Sequence, residues 1–285
     1  MNHQGIIVGA HGRHYDIALI DGSVRTGFPR GKKSELACGD TVELADNGRI
    51  EAIGERRSLL FRSDAFRQKL IAANVTQVVV VVATEPAFSD SLISRALVAA
   101  ELEGLHAVIA LNKSDLTSLL PAARHLLSPF EQLGYPHVEL SARGDVTDLS
   151  LLLRGQCSVL VGQSGMGKST LVNALVPSAN AHTQTISRAL GSGQHTTTST
   201  RRYELDENAS LIDSPGLQSF GLAQYTPEQL FEGFVEFRPL RGRCRYRDCA
   251  HDREPQCAIR DAVAAGSIHP RRLSHFHELL GEHRQ

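Results

Sequence analysis

The stretch Cys157-Ser158-Val159-Leu160-Val161-Gly162-Gln163-Ser164-Gly165-Met166-Gly167-Lys168-Ser169-Thr170 decides the fold. Its first five residues read as a buried apolar strand, and Gly162 to Ser169 then fit G-x-x-x-x-G-K-[ST] at the start of a helix. Glycines at these intervals let backbone N–H groups converge on phosphate oxygens, and the helix N-terminus adds partial positive charge. Lys168 can reach the β- and γ-phosphates of a nucleotide, and the Ser169 hydroxyl can hold Mg²⁺. The competing reading is a glycine-rich turn that binds nothing. The full pattern, with a strand before it and a helix after it, disfavours that reading.

Upstream, strand and helix alternate from about residue 70. Gln77–Ala83 is a continuous, largely β-branched run, suited to a strand buried on both faces. The pattern then predicts a helix over Ser91–Glu103, a strand over His106–Leu111, a helix near Leu116–Leu133, a strand over His137–Leu140 and a helix near Val146–Leu153. Such a rhythm implies a parallel sheet with helices on both faces. Asn112-Lys113-Ser114-Asp115 sits at a strand end, on the edge where these sheets bind ligands. N-K-x-D suits guanine. The Asp115 carboxylate can accept from guanine N1–H and N2–H₂ together, a pair adenine lacks; Asn112 can address the O6/N7 edge, and the Lys113 stem can lie over the ring. Ser141-Ala142, at the next strand end, suits a loop supporting the base from its other side.

Downstream, Gly191–Thr200 is polar, carries His195 and Thr196–Thr198, and suits a segment that orders around γ-phosphate and Mg²⁺ through a threonine hydroxyl such as that of Thr197. Asp213-Ser214-Pro215-Gly216 follows the short strand Ser210–Ile212 and fits D-x-x-G, in which Asp213 holds Mg²⁺ through water and the Gly216 amide senses γ-phosphate. The order of these motifs is unusual, because the base-reading loops precede the phosphate loop. A circular permutation explains it, since surface termini can be rejoined. Asp213–Gly216 then leads straight into the C-terminal tail, coupling switch movement to whatever the tail binds.

The two ends of the chain differ from the middle. In the first 66 residues, Ile6–Gly9, Tyr15–Ile20, Thr41–Leu44 and Arg49–Gly54 are short apolar or alternating runs between glycine-rich turns, which predicts a small OB-fold-like barrel. Arg56–Arg62 reads as a connector. After about residue 222 the rhythm stops. Cys244-x4-Cys249-x-His251-x5-Cys257 supplies three thiolates and an imidazole, a set suited to one closed structural Zn²⁺. Buried unliganded thiols are the bland alternative there, and core packing is the default for Cys38 and Cys157. Arg238, Arg241, Arg243, Arg245 and Arg247 crowd around the start of this motif with no acidic residue among the ten. The fold class expected is therefore multidomain: an all-β OB-fold-like barrel (1–66), a circularly permuted α/β P-loop domain (67–222) and a mostly helical zinc-binding domain (223–285).

Composition narrows the function classes. Across 285 residues the formal charge is −1, with 41% hydrophobic and 21% charged residues, which argues against disorder and against coating nucleic acid by bulk charge. The basic residues are lopsided, 25 Arg to 5 Lys, which points weakly to nucleic acid, while base composition of the gene is the favoured explanation on this number alone. The longest apolar run, Val78–Ala83, falls far short of the ~18–20 residues of a membrane helix, and Met1–Gln4 shows no export signal. A cytoplasmic monomer without membrane partners is expected.

Taken together, the barrel, the permuted motif order NKSD…GQSGMGKST…HTTT…DSPG and the C-x4-C-x-H-x5-C spacing resemble the ribosome small-subunit-dependent GTPases of the RsgA/YjeQ type over essentially the whole chain. The resemblance implies GTP hydrolysis stimulated by the small ribosomal subunit, rRNA binding and a part in late small-subunit maturation. It also implies that Asn112–Asp115 and Gly162–Thr170 bind GTP or GDP, and that the three cysteines and His251 bind zinc. Where many GTPases carry a water-orienting Gln directly after D-x-x-G, this chain has Leu217, with Gln218 one place later. His195 is the candidate to orient water once a partner orders its loop. Two other classes stay open: a zinc-stabilised RNA-binding module with GTP as mere ligand, and an ATP-dependent enzyme, which Asp115 opposes.

Overall fold

The computed structural model describes residues 2–31, 35–64, 67–176, 199–206, 208–214 and 217–282. Five strands build the N-terminal barrel: β1 (Asn2–Ala10), β2 (Tyr15–Leu19), β3 (Val24–Gly27), β4 (Thr41–Ala45) and β5 (Ile50–Ile53). Alternation drives it. Tyr15, Ile17 and Leu19 on β2 point inward with Ile7, Val42, Leu44 and Ile50, while their neighbours stay partly exposed. Strand β1 pairs antiparallel with both β2 and β4, and a register shift between Ile7 and Gly9 bends it from one partner towards the other.

The expected connector at Arg56–Arg62 is instead largely a strand. Here β6 (Leu59–Asp64) forms a hairpin with β7 (Arg67–Ala73), Leu59 facing Ala73 and Leu60 facing Ala72. Leu60 is buried, so its burial against a distant stretch overrides the local arginine-rich texture. The expected boundary after residue 66 falls between these two paired strands.

The central sheet runs β10–β9–β8–β11–β13 in parallel: β8 (Gln77–Ala83), β9 (His106–Asn112), β10 (His137–Glu139), β11 (Cys157–Val161) and β13 (Ala209–Asp213). Every residue of β8 is buried, as its composition predicts. The sheet is nonetheless mixed, because β12 (Thr200–Asp206) joins β13 antiparallel. The tight turn between them allows only that direction. Through Gly9 opposite Arg201 and Ala10 opposite Thr200, β12 also pairs with β1, so one sheet continues from the barrel into the α/β domain.

Helices α1 (Asp90–Leu102), α2 (Leu120–Glu131, after a 3₁₀ turn at Thr117–Leu119), α3 (Thr147–Leu153) and α4 (Lys168–Leu175) accompany the parallel strands. Most of α1 is buried, Ser94 and Val98 included, because the sheet covers one side and the C-terminal helices cover the other. Those are α5 (Pro227–Gly233), α6 (Ala258–Ala264) and α7 (Pro270–Glu282). A Thr226/Gln229 capping box starts α5. At Gly233 a Cβ would lie 2.6 Å from Val98 Cγ1, so glycine is what lets α5 approach α1. Phe234 and Phe237 stack at 5.0 Å, with Phe276 edge-on to both at 5.4 Å.

One ion pair lies inside this interface. Arg272, 1% exposed, bonds Glu236 at 2.5 Å with its guanidinium 4.4 Å from the Phe234 ring. Removing one partner leaves the other charge buried, so Arg272→Ala is expected to destabilise the chain by about 3–5 kcal/mol in denaturant titration. A loss within a few tenths of a kcal/mol would contradict the burial.

Candidate functional site

The phosphate loop leaves β11 at Gly162 and enters α4 at Gly167, whose φ of +87° favours glycine; a Cβ there would also sit 2.3 Å from Asn112 Nδ2. The loop closes on its own lysine. Lys168 Nζ donates to the carbonyls of Gly162 and, at 2.8 Å, Gln163. Burial lowers the Lys168 pKa and raises that of Asp213, and each charge partly offsets the other's shift. Ser164, Ser169 and Thr170 are exposed, whereas Met166 is buried beneath the loop.

Asn112 has a different task from the one its motif suggests. It is 2% exposed, and its Oδ1 accepts from the backbone N–H of Lys113 at 2.8 Å and of Ala142 at 2.9 Å. Its Nδ2 donates to the Met166 carbonyl at 2.9 Å. One carboxamide therefore ties three loops together, leaving its second Nδ2 N–H as the group that could address the O6/N7 edge. Lys113, at φ +58°, donates from Nζ to the Glu85 carbonyl at 2.8 Å. Ser114 N–H donates to the Leu140 carbonyl at 3.1 Å. Asp115 is exposed, and a hydrogen bond from Ser141 holds its carboxyl below the usual carboxylate range. A cavity of about 170 Å³ joins Asp115, Lys113, Ser141 and Ala142 at one end to Gly167 and Thr170 at the other.

On the opposite side of the loop, Asp213 ends β13, and Ser214 Oγ lies 3.1 Å from Thr200 Oγ1. Leu217 is 1% exposed in the core while Gln218 is exposed, so the residue after D-x-x-G offers no polar group to the site. His195, Thr197 and Gly216 lie outside the described residues.

The four expected metal ligands converge. Their ligand atoms all lie within 4.8 Å of one another, with Cys244 Sγ 3.6 Å from His251 Nδ1, Cys257 Sγ 3.3 Å from the same nitrogen and the two sulfurs 3.9 Å apart. Tetrahedral Zn²⁺ with thiolate and imidazole bonds of ~2.0–2.3 Å places its ligands about 3.3–3.8 Å apart, so the donor set fits. The loop is held from outside by Glu254, which accepts from the backbone N–H groups of Ala250, Asp252 and Arg253 at 3.0–3.1 Å. Backbone donation from its own N–H and that of Ala250 pulls its carboxyl down to about 2.

The RsgA GTPase family pattern matches residues 53–223. A small ribosomal subunit biogenesis GTPase RsgA from Burkholderia pseudomallei (strain K96243) is 52% identical over 288 residues, spanning 98% of this chain and 92% of the relative. The chain belongs to the RsgA GTPase family. Among solved structures, YjeQ from Thermotoga maritima superposes with a TM-score of 0.74 at 31% identity over 99% of both chains. YloQ, described as a circularly permuted GTPase, superposes at 0.72 with 25% identity, over 100% of this chain and 96% of its own. The permuted order read from the motifs is thus a family property, and the chain is a GTP-hydrolysing enzyme of this kind.

In this RsgA-family chain the arginine cluster is less basic than its sequence. Arg238 pairs with Glu101 at 2.7 Å and Arg241 with Glu232 at 3.1 Å, both acids lying outside the cluster. Arg245 bonds Gln256 and sits 5.6 Å from the Tyr246 ring centre. Arg243 and Arg247 are exposed and make no ion pair among the described residues. A groove of about 890 Å³ beside the metal cluster is lined by Arg241, Arg247 and Tyr246. Tyr246, 41% exposed, is a stacking surface that motif reading passed over. On the barrel, Tyr15 is core, Phe28 is 50% exposed, and the exposed His14 ring stacks on that of His11 at 4.8 Å. Among the described residues no helix is long and apolar enough to cross a membrane.

Asp115 carries a specific expectation. Asp115→Asn exchanges an acceptor for a donor, so GTP affinity should fall by about 10²-fold or more while xanthosine triphosphate, which presents a carbonyl in place of the 2-amino group, gains. Competition with a fluorescent nucleotide checks it, and an unchanged preference for guanine would remove Asp115 from the base site.

Proposed function

We propose that this chain is a switch that docks on the small ribosomal subunit in its GTP state, contacts rRNA during late subunit maturation, and leaves after hydrolysing GTP to GDP. One observation carries the reading. The permuted nucleotide site ends at Asp213, and the chain runs from there directly into the metal-bearing domain, so the element beside γ-phosphate is the stalk of the candidate docking surface. The working division is an OB-fold-like rRNA-binding barrel at 1–66, the GTPase at 67–222 and the zinc domain at 223–285, in a cytoplasmic monomer.

Asn112, Lys113, Ser114, Asp115, Ser141 and Ala142 hold the guanine end. Gly162 to Thr170 hold the phosphates, with Lys168 exchanging its two backbone carbonyls for β- and γ-phosphate oxygens. Ser169, Thr197 and Asp213 would hold Mg²⁺, which neutralises charge on the phosphates when bound, and Gly216 would sense the γ-phosphate. Cys244, Cys249, His251 and Cys257 would hold Zn²⁺, and so held would fix the loop that bears Arg243, Arg245, Tyr246 and Arg247. Because Leu217 is buried, the attacking water needs another partner, which we assign to His195. His195→Ala should cut subunit-stimulated turnover by about 10²-fold while leaving GTP affinity unchanged; an unaltered stimulated rate removes it from the mechanism.

The reading is tested by GTP turnover against added small subunits, large subunits and bare rRNA. Stimulation confined to small subunits is expected. Negligible turnover under every condition would favour an RNA-binding module with GTP as mere ligand, and equal stimulation by large subunits would overturn the partner assignment.

A further inference from the structure

Helix α1 touches the phosphate loop at one end and the C-terminal domain along its length. At its N-terminus the backbone N–H of Ser89 donates to Gln163 Oε1 at 2.6 Å, and Gln163 is the second residue of the phosphate loop. The carbonyl of that same Gln163 is one of the two that hold Lys168. The next residue, Asp90, turns the other way. Its Oδ2 accepts from Arg271 at 2.6 Å and its Oδ1 lies 3.4 Å from His275 Nε2, both on α7.

One turn on, Ser94 is fully buried, and its hydroxyl sits 2.8 Å from Arg272 Nη1 and 2.7 Å from His275 Nδ1. Arg272 passes the connection to Glu236 at 2.5 Å, and Arg271 reaches the His125 carbonyl on α2 at 3.4 Å. Farther along, Arg95 bonds Glu282 of α7 and the Phe220 carbonyl, which lies a few residues beyond Asp213. At its far end Glu101 takes Arg238, and Tyr225 donates to Glu103.

Apolar packing alone would hold these helices together. A polar network whose central side chains, Ser94, Arg272, Glu236 and His275, are buried and whose ends are partly exposed adds directionality, because each bond exists at one relative position of its partners. Helix α1 has 13 residues and so spans about 20 Å as a rigid rod. A shift of α7 along it must break or move the Asp90 and Ser94 bonds, and Asp90 is covalently next to the residue that holds Gln163.

We propose that Asp90 and Ser94 are positioning residues: with Arg271, Arg272 and His275 they make α1 the strut through which the placement of the metal-bearing domain sets the geometry of Gln163 and hence of Lys168 in the phosphate loop. This rests on the proposed function for its physiological sense but not for its test. Coupling of this kind is reciprocal, so nucleotide at the loop alters α7 by the same linkage that lets a partner on the C-terminal domain alter the loop.

Hydrogen exchange on the full-length zinc-loaded chain reads that linkage without ribosomes. Amides of residues 271–282 are expected to exchange at different rates in GDP and in a non-hydrolysable GTP analogue. Asp90→Asn and Ser94→Ala should each retain zinc and basal turnover but lose most of the nucleotide dependence in that segment. The double change Asp90→Asn with Gln163→Ala should abolish it no more completely than either change alone, because both interrupt one connection; independent structural damage would add. In turnover assays Asp90→Asn should lower the stimulation by small subunits by about tenfold.

Exchange at 271–282 that ignores nucleotide in the wild type, or that responds equally in Asp90→Asn, overturns the strut. Should a variant lose zinc, the milder Ser94→Ala decides by the same readout. Wild-type turnover that ignores small subunits would defeat the functional reading alone, leaving the exchange result to stand by itself.

Discussion

Replacing Lys168 by alanine is expected to lower GTP turnover by at least about 10²–10³-fold and to weaken triphosphate binding more than diphosphate binding. The ammonium group is the cation of the described phosphate-loop residues, and it lies against that loop's own carbonyls. It lies between the Gly162 and Gln163 carbonyls, so phosphate competes with two neutral acceptors rather than with a salt bridge. Burial already disfavours its charge, which a bound phosphate restores. Removing the side chain leaves the glycine-rich backbone its own conformation, so the melting temperature should change little. Paired measurements of turnover and fluorescent-nucleotide binding check this. A variant hydrolysing GTP near the wild-type rate would remove Lys168 from the chemistry.

Loss of the metal should have the largest structural effect. Cys257 is 1% exposed, lies 3.3 Å from His251 Nδ1 and marks the start of α6. Structural zinc contributes about 10–16 kcal/mol of apparent binding free energy to small domains, more than the short helices α5 and α6 can replace. Cys257→Ser, or a strong chelator, is expected to open the segment around residues 241–269 to proteolysis and to abolish one equivalent of bound zinc. The rest of the chain should feel it too, since the C-terminal helices cover one side of α1. Cys157→Ser is the matched control and should keep its zinc. A chelated chain that resists protease like the untreated one would make the four ligands a packing cluster.

What could be read in the linear chain was whatever depends on neighbours in sequence. The phosphate loop, Asn112–Asp115 and the Cys244–Cys257 spacing are local patterns imposed by a ligand's own geometry, and strand β8 announces itself by seven buried residues. Features that depend on distant partners stayed hidden. Strand β12 is only half-buried and takes its place from β13 and β1, and β6 owes its conformation to β7. The bracing role of Asn112 needs Met166, 54 positions away, to be visible. Likewise the acid that tempers Arg238 is Glu101, 137 positions away, which no window around the arginines includes.

The short pairing of β1 with β12 also bears on how the chain avoids associating with itself. Without the barrel, β12 would present the open margin of a six-stranded sheet, a template for another strand. Gly9 and Ala10 cover the first two residues of that margin, at the end nearest Asp213, and beyond them Arg202, Glu204 and Asp206 place charges along the remainder. A chain shortened by its first 58 residues should therefore keep its nucleotide site yet turn self-adhesive, forming oligomers through β12. The barrel is, in this sense, a stopper on the sheet as well as a domain in its own right.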